Sequence, residues 1–230
     1  MIHFLLFNIP VYIRPSFWLV LALFGGILEI SDASQLVNVA IFIIAGLIAI
    51  LGHELGHALV GRNMGATHQT IILEMCGGVT LSQGKERTKA GRVLTLMAGP
   101  LVTFILGLIS LAIAWHLAED AILERGFTFW DLVLFPPLAC LESENLIFFS
   151  YMIMIGEWWT ILNILPIYPL DGGQIIEQFI KSPRLVFLIG MITAIIAGTL
   201  GFLFLHSYFI PCFMGFFAYS NYQNMRNAPF

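Results

Sequence analysis

Long apolar stretches separated by short polar segments constrain the fold of this chain more than any other feature. An α-helix needs about 20 such residues to cross the hydrocarbon core of a bilayer. Only 10% of the residues are charged and 59% are hydrophobic, whereas a soluble domain carries about 25% charged residues. The chain is therefore predicted to be an integral, multi-pass membrane protein. The six predicted spans cover residues 16–30, 36–61, 90–117, 146–165, 185–205 and 207–222.

The composition excludes one class of partner and two kinds of cysteine site. A formal net charge of −4 at pH 7 provides no basic stripe that could replace phosphate counterions, so no nucleic-acid partner is expected. The three cysteines are scattered and lack Cys-x-x-Cys spacing, which predicts neither a disulfide framework nor a cysteine zinc site. We expect a single integral-membrane domain over residues 1–230, with one sizeable acidic insert at 116–145.

A mixed stretch at 67–82, THQTIILEMCGGVTLS, combines β-branched residues with a Gly-Gly pair. These features predict a short hairpin, and alternation around the prolines of the first dozen residues predicts another strand. Because lipid-exposed sheet edges are excluded at membrane depth, this element must lie at the interface or pack against protein. The predicted fold class is membrane all-α: a polytopic bundle of about six transmembrane helices with a small membrane-associated β-hairpin or sheet.

The basic residues indicate the orientation of the chain. Cytoplasmic flanks of membrane spans carry an excess of lysine and arginine. With six spans, only one basic residue, Arg125, lies on the non-cytoplasmic side. The insert 116–145 lies on the same side and is interpreted as an interfacial segment. Both termini and the active-site side are therefore predicted to be cytoplasmic. The basic residues on that side are Arg14, Arg62, Lys85, Arg87, Lys89, Arg92, Lys181, Arg184 and Arg226.

The second predicted span contains His-Glu-Leu-Gly-His at residues 53–57, and ionisable side chains inside a span need a compensating partner such as a metal ion. On a helix, His53 and His57 lie one turn apart, about 6 Å along the axis, so both imidazoles can reach one ion. Glu54 then lies where its carboxylate can take a proton from water that zinc activates for attack on an amide. His53 precedes the basic end of the span by about eight residues, so the site is predicted about 12 Å inside the membrane.

Two histidines leave zinc short of a third protein ligand. Asp171 is favoured because Pro166 and Pro169 prevent a continuing helix before it, so a broken segment can present its carboxylate. The alternative is that Asp171 only caps the following helix, with Gln174 at the capping-box position. Glu157, deep in its span, is the second choice of ligand. The acids considered lie near the same depth and side: Glu74, Glu157, Asp171 and Glu177.

Two motifs on separate spans make the chain resemble the site-2 proteases, zinc metalloproteases that cleave transmembrane segments of their substrates. The first motif is at 53–57 and the second is Asn-x-x-Pro-x-x-Pro-Leu-Asp-Gly at 163–172; MAGPLVTF at 97–104 resembles the span between them. The resemblance implies that Zn2+ is bound by three residues and that a fourth is the catalytic base. It also implies that Asn163 orients substrate or stabilises the oxyanion, with an interhelical hydrogen bond as its alternative role. The implied zinc ligands are His53, His57 and Asp171, and the implied base is Glu54.

In that family a membrane-associated β-structure near the site engages the substrate, and the stretch 67–82 is similar to it, which implies substrate contacts at Gly77, Gly78 and Val79. A helical substrate hides its peptide bonds in hydrogen bonds, so it must be unwound and held extended, as addition to a strand edge would do. The implied partners are a transmembrane protein substrate and the lipid bilayer. Many relatives carry a PDZ or a CBS domain, and neither is expected here, so substrate choice would fall to the insert 116–145 or to a regulatory membrane partner.

Two other functions are compatible with intramembrane histidines. A metal-ion transporter also lines its path with histidines and acids, but it would be expected to show an internal repeat, which this sequence lacks, and would have no use for Glu54. An inactive membrane scaffold is disfavoured because the ligands and the base are all present. The sequence does not indicate the oligomeric state. Trp158 and Trp159 are interpreted as interface anchors or packing residues.

Overall fold

The computed structural model describes residues 1–75, 77–84, 88–124, 146–206 and 209–228, with the backbone alone at 118–123, 205 and 209. Helices dominate these residues, and a small sheet lies near one end of the second helix. The helices are α1 (Pro15–Phe24), α2 (Ala33–Met64), α3 (Lys89–Glu124), α4 (Ile147–Ile164), α5 (Asp171–Glu177), α6 (Pro183–Leu205) and α7 (Phe209–Asn227). The strands are β1 (Ile2–Leu6), β2 (Ile9–Ile13), β3 (Thr70–Glu74) and β4 (Gly77–Leu81).

Four helices in the described part of the chain are long and apolar enough to cross a membrane: α2, α3, α4 and α6. The prediction of an integral membrane protein is confirmed, but the count of six spans is not. Helix α1 has ten residues, about 15 Å of helix, which is half of a bilayer core. Helix α7 has 19 residues, and its second half is polar from Tyr219 to Asn224.

The predicted acidic insert is described only at its start. Residues 116–124 continue helix α3, whose last residue is Glu124. Residues 125–145 lie outside the described residues, so the interfacial position of the insert stays a prediction.

The sheet has the order β1-β2-β3-β4 and confirms the hairpin at 67–82. The start of the chain forms two strands, β1 and β2, where one was predicted. Strands β1 and β2 are antiparallel, as are β3 and β4, whereas β2 and β3 are parallel, with Val11 opposite Ile71. A parallel pair needs a long crossover connection, and here that connection consists of α1 and α2. The N-terminal hairpin therefore lies beside the segment that follows α2.

One face of this sheet packs on the membrane helices. Alternate residues of β2 and β3 are buried, as the two-residue period of a strand requires. Their side chains join Phe17, Leu21 and residues of α2 in one apolar cluster, so the sheet is held against protein, as predicted. The buried strand residues are Ile9, Val11, Ile13, Ile71 and Leu73.

Helices α6 and α7 form an antiparallel pair. His206 ends α6 in the left-handed conformation, with φ 48°, and α7 then runs back along α6. Gly201 lies against Ile210 near the turn, and at the other end the Arg184 guanidinium donates a hydrogen bond of 3.0 Å to the Ala228 carbonyl. The pair packs through Ala194, Met214 and Phe217 on Ile167, in the segment before Asp171.

Candidate metal centre

Helix α2 presents two histidines and a glutamate to the interior of the protein. It begins with Asp32 as its N-cap, whose pKa is lowered by the Ser34 hydroxyl and the Gln35 amide. His53 is 3% exposed and Glu54 is 4% exposed. His53 and His57 lie one turn apart, with their Nε2 atoms separated by 3.0 Å.

Asp171 approaches the two histidines from a different part of the sequence. Its Oδ2 atom lies 3.1 Å from Nε2 of His53 and 3.3 Å from Nε2 of His57. Asp171 is the first residue of α5, whose N-cap is Leu170, so the alternative in which its carboxylate caps the helix does not apply. At Gly172 an added Cβ would collide with the Ile164 and Leu165 carbonyls. The first turn of α5 is therefore closely packed against the C-terminal end of α4.

These three side chains, called here the His-His-Asp cluster, form a group that could hold a metal ion. The Nδ1 atom of His57 donates a hydrogen bond of 2.7 Å to the Thr95 carbonyl, so in neutral His57 the Nε2 atom carries a lone pair. That lone pair, the Nε2 atom of His53 and the Asp171 carboxylate converge at 3.0–3.3 Å. In the His53 tautomer that also carries its lone pair on Nε2, three acceptors would face one another, and a cation between them would remove their repulsion.

The donor set fits zinc in chemistry and in spacing. Zinc takes histidine nitrogen and carboxylate oxygen at about 2.0–2.2 Å in tetrahedral geometry, which places neighbouring ligand atoms about 3.3 Å apart. The three separations in the cluster lie between 3.0 and 3.3 Å. Oδ2 of Asp171, one of the three converging atoms, is buried without a hydrogen-bond partner among the described residues, as expected of an atom that a metal ion would bind.

Helix α3 closes one side of the cluster. Besides the carbonyl of Thr95, it brings Gly99 against both imidazoles: an added Cβ would collide with His57 and lie 2.8 Å from Nε2 of His53. Gly56 allows this approach, because a Cβ there would lie 2.6 Å from the Ala98 carbonyl oxygen. The small residues of α2 and α3 therefore let α3 form a wall of the site.

Strand β4 holds Glu54 on the other side. The Thr80 hydroxyl donates a hydrogen bond of 2.7 Å to Oε2 of Glu54 and lies 3.1 Å from the Glu54 carbonyl oxygen. Gly78 passes so close that any Cβ would collide with the Glu54 side chain. The carboxylate is therefore fixed between α2 and β4, next to the histidine that follows it one turn later.

Two of the remaining predicted site residues, Asn163 and Gly77, contact Trp159. Asn163 is 7% exposed, and its amide donates a hydrogen bond of 2.8 Å to the Trp159 carbonyl, one turn back on α4. Gly77 contacts the Trp159 ring, whereas Val79 is 43% exposed on β4. The structure thus brings Gly77 and Gly78 to the site, while the described bond of Asn163 stays within its helix.

The other acids considered as ligands are elsewhere. Glu74 pairs with Arg14 at 2.5 Å, which joins the end of β3 to the start of α1. Glu157 and Glu177 are not members of the His-His-Asp cluster. Three further residues contact the site but were not predicted: Thr80, Thr95 and Gly99. They contribute a hydroxyl group, a backbone carbonyl and the absence of a side chain, and none of these features forms a recognisable sequence motif.

An apolar cavity of about 710 Å³ ends beside the site. It lies between α1, α2, α4 and the α6–α7 pair, and residues of the β3–β4 turn form part of its wall. Trp159, whose ring centroid lies 6.3 Å from that of His53, is among the described residues that line it, whereas none of the three cluster residues is. Its other walls include Phe17, Phe42, Ile161, Leu200 and Phe213.

The sequence of this chain is similar to those of known peptidases. The model of Peptidase family M50 matches residues 41–207. The zinc metalloprotease MJ0392 of Methanocaldococcus jannaschii is 27% identical over 209 residues, covering 87% of this chain and 53% of that protein. The relative sll0528 of Synechocystis sp. is 24% identical over 183 residues, covering 76% of this chain and 42% of that protein. This chain therefore spans about half the length of these relatives.

One solved structure has a similar fold. The Site-2 Protease from Methanocaldococcus jannaschii superposes with a TM-score of 0.60 at 24% identity, covering 97% of this chain and 94% of that chain. At this identity the likeness concerns the arrangement of helices and strands.

Proposed function

This chain belongs to peptidase family M50, and from that premise we propose that it is an intramembrane zinc endopeptidase that cleaves transmembrane segments of single-span membrane proteins. The observation that carries the proposal is the convergence of three metal-ligating atoms next to a buried glutamate. They lie among helices long and apolar enough to cross a bilayer. The proposed reaction, hydrolysis of a peptide bond, would thus take place at a site surrounded by membrane helices.

His53, His57 and Asp171 would hold the zinc ion, and the Thr95 carbonyl would keep His57 in the tautomer that binds it. When bound, zinc supplies Lewis acidity, which polarises the scissile carbonyl and lowers the pKa of water to about 7. Three protein ligands leave a position of the tetrahedron open for this chemistry. The set of two nitrogens and one carboxylate oxygen is typical of hydrolytic zinc sites.

Glu54 is proposed as the general base. Its Oε2 atom accepts the Thr80 hydroxyl, so Oε1 is left to take the proton of the attacking water and to pass it to the leaving amine. Burial of Glu54 between α2 and β4 fixes the direction of the carboxylate. Asn163 is proposed to orient the substrate or to stabilise the oxyanion through the amide hydrogen that is not donated to the Trp159 carbonyl.

The substrate is proposed to bind in an extended conformation along β4. This strand is at the edge of the sheet, so an unwound segment could add to it by main-chain hydrogen bonds. Gly77 and Gly78 would bring the added strand close to Glu54, and the exposed Val79 would contact its side chains. Residues that destabilise the substrate helix near the cut are therefore expected to speed cleavage.

The apolar cavity is proposed to receive the substrate before it is unwound. Its lining is hydrophobic, and it ends at Gly77, the first residue of β4. A substrate helix leaving the lipid would thus exchange one apolar surrounding for another, and only the segment to be cut would need to reach polar groups. The lipid bilayer and a transmembrane protein are the partners that this arrangement requires.

We propose that the site faces the cytoplasm. The excess of arginine and lysine on one side supports this orientation. Arg14 and Arg62 both contact residues of the sheet region, through Glu74 and Phe7, and Arg92 contacts Gln174, three residues after Asp171. A reporter fused after Ala228 that is accessible only from outside the cell would contradict the proposal.

The experiment that tests the function compares wild type with Glu54→Gln in liposomes. The probe is a synthetic single-span peptide of alanine and leucine with an Asn-Gly pair at its centre and lysines at both ends. We expect wild type to cut within the span, Glu54→Gln to be slower by about a thousandfold or more, and both to retain zinc. Glu177→Gln, the same replacement at an exposed position of α5, serves as the control.

Equal cutting by wild type and Glu54→Gln, or none by either, would overturn the proposed function. Metal-ion transport is the other function considered, and it is not favoured, since the family and the named relative are proteases. Zinc flux into liposomes that is unaffected by Glu54→Gln would restore it.

A further inference from the structure

Trp159 separates the apolar cavity from the His-His-Asp cluster. One side of the residue lines the cavity, and its ring packs edge-on against the ring of His53, with the centroids 6.3 Å apart. The same ring fills the space where Gly77 lacks a side chain: an added Cβ would lie 2.6 Å from Cη2 and 2.7 Å from Cζ2. Gly77 has φ 114°, a conformation that favours glycine. Trp159 is thus in contact with the cavity, with His53 and with the first residue of β4.

The indole N–H of Trp159 has no hydrogen-bond partner among the described residues, although it is buried. A buried indole normally finds an acceptor, and leaving a donor unpaired is costly. Gly77, the first residue of β4, lies against Cζ2 and Cη2 of the indole, and Nε1 is one ring carbon away from Cζ2. An extended chain that begins to pair with β4 would therefore pass the ring that carries this unpaired donor.

We infer that Trp159 is a substrate-binding residue: its indole N–H donates a hydrogen bond to a backbone carbonyl of the unwound substrate segment as that segment passes from the cavity to β4. The inference rests on the proposed function and names a contact that the function does not require. A carbonyl freed by unwinding lacks its helical partner, and the indole lacks an acceptor, so the two groups satisfy each other in an apolar surrounding.

Trp159 also connects this contact to Asn163. The carbonyl of Trp159 accepts the Asn163 amide, so a movement of Trp159 on binding the substrate would change that hydrogen bond. The amide has a second N–H, whose direction depends on the bond to Trp159. A substrate that reaches the indole would therefore also affect how the residue proposed to stabilise the oxyanion is oriented.

The first test observes the indole directly. The Glu54→Gln protein is labelled with ¹⁵N in its tryptophans, and the Trp159 Nε1–H resonance is assigned by comparison with Glu54→Gln/Trp159→Phe. The alanine-leucine peptide with the central Asn-Gly pair is then added until a fluorescent label on the peptide reports saturation. We expect a downfield shift of the Trp159 N–H proton, because a new hydrogen bond forms. No shift at saturation, or no binding of the peptide, overturns the inference.

The second test uses kinetics. Trp159→Phe keeps an aromatic ring but removes the donor, so kcat/KM for the peptide should fall about tenfold, the value of one hydrogen bond, with zinc content unchanged. Trp18→Phe is the matched control, since Trp18 packs on the apolar cluster of α1 and does not line the cavity. Cleavage by Trp159→Phe at the wild-type rate overturns the inference while leaving the proposed function intact. If the wild-type protein does not cleave the peptide, the proposed function is rejected, and the inference about Trp159 is then tested by the shift of its Nε1–H resonance alone.

Discussion

Asn221 of α7 donates a hydrogen bond of 2.6 Å to the backbone carbonyl of Tyr168, three residues before Asp171. Asn221 is fully buried, and its amide also donates to the Phe217 carbonyl at 2.9 Å. Gly190 of α6 leaves room for its Oδ1 atom, because an added Cβ there would collide with it. One side chain therefore joins α6, α7 and the segment that carries the proposed third ligand.

Replacement of Asn221 by leucine should weaken zinc binding about tenfold, and the free energy of unfolding should fall by about 1–3 kcal/mol, because the Tyr168 carbonyl loses its donor. Zinc competition and thermal unfolding in detergent measure the two effects. Thr199→Val is the control, since Thr199 bonds only one turn back, to Ile195, on an exposed face of α6. Lower stability with unchanged zinc affinity would show that Asn221 packs the helices without positioning Asp171.

Replacement of Asp171 by asparagine should lower zinc affinity by more than about a hundredfold, because the anionic ligand is lost while its volume is kept. Metal content after dialysis against a graded chelator measures the loss. Glu177→Gln removes a carboxylate from the same short helix at an exposed position and should leave the metal content unchanged. Full zinc retention by Asp171→Asn would remove Asp171 from the ligand set.

Replacement of Gly99 by alanine should displace zinc and abolish cleavage, because the new methyl group would collide with His57 and crowd His53. Gly107→Ala is a matched control on the same helix, where the nearest atom to an added Cβ is 3.5 Å away, at ordinary contact distance. Both variants are assayed for bound zinc and for thermal unfolding. Normal zinc content in Gly99→Ala would contradict the close approach of α3 to the imidazoles.

Replacement of Thr80 by valine should lower kcat about tenfold and leave zinc content unchanged, because Glu54 loses the hydroxyl that fixes its carboxylate. Thr80→Ser keeps the hydroxyl and should restore most of kcat. Steady-state cleavage of the single-span peptide measures both variants. Equal loss in Thr80→Val and Thr80→Ser would point to packing of β4, since the two variants differ in the hydrogen bond.

The sequence predicted the features whose information is local. The spacing of His53 and His57 places both on one helix face, the Gly-Gly pair marks the β3–β4 hairpin, and the prolines before Asp171 break the helix as expected. The resemblance to site-2 proteases, drawn from the motifs at 53–57 and 163–172, is confirmed by the match to family M50. The count of six spans is not confirmed, because α1 is short and α7 is half polar.

The contacts that support the site could not be predicted from the sequence. Thr95 acts through a backbone carbonyl, which every residue possesses, and Gly99 acts through the absence of a side chain. Trp158 and Trp159 were interpreted alike as anchors or packing residues, but Trp158 is 48% exposed, whereas the indole nitrogen of Trp159 is buried and its six-membered ring lies against Gly77. Each of these distinctions depends on which segments meet in space, and those segments are far apart in the chain.

The parallel pairing of β2 with β3 affects the order in which the protein can assemble during synthesis. Strand β2 cannot pair with β3 until α1 and α2 have been synthesised. The hydrogen bond between Thr80 and Glu54 can form only after that, because Thr80 follows β3 in the sequence. Asp171 reaches the two histidines only after α3 and α4 have been inserted. A partly synthesised chain would therefore carry the histidine motif without the rest of the site, so the proposed cleavage could not begin before Asp171 has been made.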